Sequence, residues 1–87
     1  MKVKDGFVLR DVAGQAVVIA TGAVSETFHG MVKLNATGAV IWRAVAEGCT
    51  AEAAAERLAG QFDVPVEQAK ADVDDFVEKM RAEGFLA

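Results

Sequence analysis

The apolar residues change their spacing near residue 35, and that change limits the architectures open to this chain more than any other feature. Before it, hydrophobic residues come in short β-rich runs; after it, they recur at the three- and four-residue intervals of amphipathic helices. Phe7, Val8 and Leu9 lead into Asp11-Val12-Ala13-Gly14-Gln15, where Gly14 supplies the positive φ of a tight reversal, and Ala16-Val17-Val18-Ile19-Ala20 returns as a second strand. After a polar connection, residues 27–34 read as a third strand, with Phe28, Gly30, Val32 and Leu34 on one face and His29, Met31 and Lys33 on the other.

Three helices follow. Asn35 is placed to cap the first from Ala36, and Gly48 to end it; Val40, Ile41, Ala44 and Val45 mark its apolar face. Thr50 caps a short second helix carrying Ala54, Ala55, Leu58 and Ala59, with Gly60 near its stop. Past Pro65, the series Val66, Ala69, Val73, Phe76, Val77 and Met80 predicts a third helix of about 16 to 18 residues, closing near Gly84. With no repeat or linker between them, three strands and three helices must share one core. The expectation is an α+β domain.

Composition narrows the function. A net charge of −4 and a pI near 4.8 do not suit a nucleic-acid groove, which needs a basic face to displace counterions from phosphate. One cysteine, Cys49, and one histidine, His29, fall short of a zinc ligand set, and no Gly-rich phosphate loop or Cys/His cluster is present. No metal, cofactor or catalytic residue is therefore expected. The longest apolar run, Ala16 to Ala20, is far below the ~20 residues that span a bilayer. The expectation is a cytoplasmic protein without membrane or nucleic-acid partners.

Leu34-Asn35-Ala36-Thr37-Gly38-Ala39-Val40-Ile41-Trp42 resembles the signature of the PqqD-like family, named for a protein of pyrroloquinoline quinone synthesis. The resemblance continues through Gly48-Cys49-Thr50, Asp72-Val73, Phe76, Met80 and Gly84-Phe85-Leu86, and covers the chain from about residue 5 to the end. Cys49 stands where a basic or polar residue is common in the family. Phe28-His29-Gly30-Met31 is closer to the stand-alone PqqD-like proteins than to true quinone-pathway members.

The resemblance implies that residues 1–87 form a single recognition domain of winged-helix-like fold, a three-stranded antiparallel sheet packed on three helices. It also implies a non-catalytic peptide chaperone of ribosomal peptide modification. Such a domain binds the leader segment of a precursor peptide as an added strand and delivers the peptide to a modifying enzyme, often a radical S-adenosylmethionine enzyme. In the family the leader lies between the third strand and the third helix, here residues 27–34 and 66–83.

The candidate peptide-binding residues are therefore Phe28, His29, Gly30, Met31, Val32 and Lys33 on the strand, and Val66, Lys70, Val73, Asp74, Val77 and Arg81 on the helix. Phe28, Met31, Val32, Val66, Val73 and Val77 would supply apolar walls, while Lys70 and Arg81, with Lys33 across the cleft, would attract an acidic leader. This takes the flank holding Lys70, Asp74, Val77 and Arg81 as the groove side; the opposite flank, with Asp72, Lys79 and Glu83, is the alternative. Met31, Val73 and Val77 also fit plain core packing, and Trp42, Phe76 and Met80 fit it better than a ligand site. Gly30 fits either a bulge or a tolerated small residue. His29 suits a solvated strand face and Cys49 an incidental thiol. The competing functions are a small transcription regulator, a scaffold for folded proteins, and a homodimer formed through edge strands.

Overall fold

Positive φ at two successive residues, Ala13 at 52° and Gly14 at 81°, turns the chain back on itself within two positions. This is the handedness of a type I′ turn, whose twist matches that of the strands it joins. It connects β1 (Phe7–Val12) to β2 (Gln15–Ala20), which pair in register from Val12↔Gln15 to Phe7↔Ala20. Alanine pays the steric cost of the left-handed region that asparagine tolerates. Ala13→Asn is therefore expected to raise the melting temperature by about 2–6 °C, on the order of 0.5–1 kcal/mol, in a thermal scan; an unchanged or lower value would contradict this account of the turn.

The computed structural model describes residues 1–22 and 31–87. β3 (Met31–Leu34) pairs antiparallel with β2, so among the described residues the strand order is β1-β2-β3 and β3 is an edge. Of the predicted strand over residues 27–34, the stretch containing Phe28, His29 and Gly30 lies outside the described residues. β2 is central and its Val17 and Val18 are both buried, although they point to opposite faces. Gln15 ties the far end of the sheet, its Nε2 donating to the Leu34 carbonyl at 2.7 Å.

Asn35 caps α1 (Ala36–Ala46): its Oδ1 accepts from the Gly38 amide at 2.8 Å and from the Thr37 hydroxyl at 3.1 Å. Seven of the helix residues, Gly38–Trp42, Ala44 and Val45, are buried, because α1 packs along α2 and also touches β1, β3 and α3. Thr50 caps α2 (Ala51–Phe62) by accepting from the Ala53 amide at 3.1 Å. Its buried residues are Ala54, Ala55 and Leu58, and two alanines let neighbouring helices approach closely. The helix continues through Gly60, where a stop was expected, and ends at Phe62 with Asp63 in the left-handed conformation. Asp63 can take that conformation because a short polar side chain tolerates it.

α3 (Val66–Ala82) buries Ala69, Val73, Val77 and Met80 on one stripe. At its end Gly84, with φ of 81°, permits paired bonds from the Phe85 amide to the Met80 carbonyl at 2.9 Å and from Gly84 to Arg81 at 3.1 Å. That reversal turns Phe85 inward. Its ring meets Phe7 edge-on at 4.9 Å and Trp42 at 5.3 Å, between centroids. The chain ends are then fastened together. The Lys4 amide donates to the Phe85 carbonyl at 2.7 Å and the Ala87 amide to the Lys2 carbonyl at 3.0 Å, with an antiparallel bridge between Val3 and Leu86. The arrangement is the expected α+β one, a three-stranded antiparallel sheet followed by three helices.

Candidate functional site

Antiparallel pairing makes successive residues of a strand point their backbone groups in opposite directions. In the β1–β2 hairpin the pair next to a two-residue turn, Val12 and Gln15, is hydrogen-bonded, and so is every second pair after it. The bond from the Thr21 amide to the Gly6 carbonyl, at 2.6 Å, follows the same alternation. Odd-numbered residues of β2 thus bond to β1, leaving Ala16 and Val18 to bond Leu34 and Val32 of β3. The backbone N–H and C=O of Met31 and Lys33 face away from the sheet, along the open edge.

Beside this edge runs a cleft of about 390 Å³ between β3 and α3, lined by Val32, Lys33, Leu34 and Asn35 on one side and by Phe76, Lys79, Met80, Ala82, Glu83 and Phe85 on the other. Its apolar wall is continuous with the core, since Leu34, Met80 and Phe85 are buried and Val32 and Phe76 pack against them. Gly38 keeps this wall in place: a Cβ there would come within 2.9 Å of the Phe76 ring and 3.0 Å of Asn35 Oδ1. The Leu34–Trp42 motif therefore joins three tasks, ending the edge strand, capping α1 and seating Phe76.

Of the residues proposed from sequence, the structure brings Val32 and Lys33 to this cleft and Met31 to its open edge, with Met31 57% exposed. It does not bring the chosen flank of α3 there. Lys70 and Asp74 border a small depression with Ala51 and Glu52 of α2, Val73 and Val77 are buried in the core, and Val66 is an exposed residue at the start of the helix. Arg81 is on the surface in an ion pair with Glu78. The helix turns its other flank, Phe76, Lys79 and Glu83, toward β3. The physical reason is that α2 packs along the first flank, leaving the second to the sheet. The available signal was Phe76, a large aromatic residue set to one side of the buried stripe.

Charge is sparse where the cleft is apolar. Among the described residues, Lys33, Lys79 and Glu83 take part in no ion pair; the two pairs present are Arg81–Glu78 and Arg57–Glu47. The Glu47 carboxylate accepts from Arg57 Nη2 at 3.0 Å and, mainly through that bond, pushes the Arg57 pKa up. Cys49 is half-buried, with its Sγ 3.5 Å from the same nitrogen. Among the described residues, no group of three His, Cys, Asp or Glu could hold a metal, and no helix is long and apolar enough to cross a membrane.

The fold is shared with two solved structures. One is titled TbiB1 in complex with the TbiA(beta) leader peptide, 21% identical with a TM-score of 0.79, the match covering 99% of this chain and 94% of that one. The other, lasso peptide synthetase B1 complexed with the leader peptide, is 17% identical with a TM-score of 0.77 and coverage of 97% and 93%. No curated protein matches the chain. Residues 8–86 match the model of the family described as coenzyme PQQ synthesis protein D, the same family that the Leu34–Trp42 stretch resembles. The chain belongs to the PqqD family.

Proposed function

We propose that this chain is a non-catalytic recognition domain, residues 1–87 acting together, that binds the leader segment of a ribosomally made precursor peptide and presents it to a modifying enzyme. The observation that carries this reading is the open edge of β3, where Met31 and Lys33 offer backbone donors and acceptors beside the apolar cleft against α3. An extended peptide can satisfy those groups by adding as a fourth strand. Edge bonds alone do not suffice: ordering a peptide residue costs roughly 1–2 kcal/mol, while a hydrogen bond exchanged with water returns about 0.5–1.5 kcal/mol. The cleft supplies the difference, since burying one leucine or phenylalanine side chain contributes about 1.5–3 kcal/mol.

Family membership supports the reading, and so do the two structural neighbours, each of them a complex with a leader peptide. A radical S-adenosylmethionine enzyme as the recipient is the finer proposal, and it rests on what the family resemblance implies. The exposed carboxylates of α3, Asp74, Asp75 and Glu78, oppose use of that helix on nucleic acid.

The direct test is capture from lysate of the source cells on immobilised protein, with bound peptides, proteins and nucleic acid identified separately. Recovery of a short ribosomal peptide is expected. Recovery of nucleic acid alone, or of folded proteins alone, would overturn the assignment.

A further inference from the structure

The outer face of the sheet, turned away from the helices, is organised in rows across the strands. Val8, Ile19 and Met31 stand opposite one another in register and form an apolar row; Arg10, Val17 and Lys33 form the next, with a cation at either end. Both rows stop at the open edge of β3. There Met31 is 57% exposed, and Lys33 is exposed without an ion-pair partner among the described residues. The cross-strand and diagonal neighbours of Lys33 on this face, Val17, Gln15 and Ile19, carry no carboxylate.

A strand added at this edge has a side-chain period of two. The peptide residues that hydrogen-bond to Met31 and Lys33 must place their side chains on the outer face, in line with the two rows. The residue between them faces Val32 and points into the cleft, whose apolar walls include Leu34, Phe76, Met80 and Phe85. Antiparallel addition lets Met31 and Lys33 each close a two-bond pair with a single peptide residue, the more stable arrangement per residue. The peptide then runs past Lys33 first and Met31 last.

Resting on the strand-addition reading above, we infer that the recognised segment carries, from its N-terminal side, a carboxylate, an apolar residue and a second apolar residue. The carboxylate lies opposite Lys33, the first apolar side chain fills the cleft, and the second extends the Val8–Ile19–Met31 row. Lys33 is then the residue that selects for charge and Met31 the one that continues an apolar surface onto the bound peptide. The net charge of −4 gives such a segment no general attraction to the protein, so what attraction it has is local to this edge.

The test uses isotopically labelled full chain and three short peptides, acetylated and amidated, with threonines flanking Glu-Leu-Val, Lys-Leu-Val or the reversed order Val-Leu-Glu, titrated at low salt while the Met31 and Lys33 amide resonances are followed. The expected result is movement of both amides, affinity for Glu-Leu-Val about three- to fivefold above that for Lys-Leu-Val, and inversion of that preference in Lys33→Glu. Equal binding of the two peptides with both amides moving would overturn the charge selection and leave strand addition standing. Tighter binding of Val-Leu-Glu would overturn the antiparallel order. Absence of movement at both amides with all three peptides at millimolar concentration would overturn the pattern together with strand addition.

Discussion

If the chain binds a leader peptide at β3 as proposed, Met31→Pro is expected to remove that binding, with affinity falling at least tenfold, while the domain stays folded. The Met31 amide points away from β2, so its loss breaks no bond of the existing sheet, and proline is accepted on edge strands where the missing N–H faces outward. The bound peptide suffers twice. One of its carbonyls is left buried without a donor, which costs about 1–3 kcal/mol, and the proline ring occupies the line along which the added strand would lie. A tenfold change corresponds to about 1.4 kcal/mol, so tenfold is the lower end of the expectation. Val32→Pro is the informative contrast, because Val32 bonds to Val18 and its amide is needed inside the sheet. Circular dichroism should show a native Met31→Pro and a destabilised Val32→Pro. A folded Met31→Pro protein that binds as the parent does would remove β3 from the site.

Phe85→Ala is expected to cost about 3–5 kcal/mol of unfolding free energy, against a total on the order of 5–10 kcal/mol for a domain of this size. Phe85 is 3% exposed, it joins Phe7 of β1 to Trp42 of α1 through two edge-on ring contacts, and it lines the cleft. Removing it opens a void where the sheet, the first helix and the end of the third helix meet. The midpoint of thermal unfolding should fall by roughly 12–30 °C, and urea titration should show the same loss. Conservative replacement by leucine should recover most of the stability, since it restores apolar volume and loses mainly the ring geometry. A cost below about 1 kcal/mol for the alanine variant would mean that Phe85 packs less tightly than its burial indicates.

Much of the fold was legible because its signals are local. Asn35 and Thr50 lie at the first turns of their helices, and each accepts the amide bond that a cap should accept. Gly14 marks the hairpin, and the strand alternation that puts Met31 and Lys33 opposite to Val32 and Leu34 is visible in four residues. The lining of the cleft was half legible for a different reason. The spacing of Ala69, Val73, Val77 and Met80 identifies the buried stripe of α3, but the two flanks of that stripe look alike in sequence, each carrying charges of both signs. Which flank meets β3 depends on where α2 packs, and that is set by Ala54, Ala55 and Leu58, distant in sequence from any edge strand. The role of Phe85 was hidden for a similar reason, since a residue beyond the last turn shows no period, and only the reversal at Gly84 turns it into the core.

The bridge between Val3 and Leu86 has a consequence for how this fold can be wired into other chains. Because the two ends leave the domain side by side, joining them with a short flexible segment need not disturb the sheet or the cleft, and a cut at the exposed Ala13–Gly14 turn would provide new ends. The same geometry makes the domain a suitable insert, entering and leaving a host protein at one point while its open strand edge remains on display elsewhere.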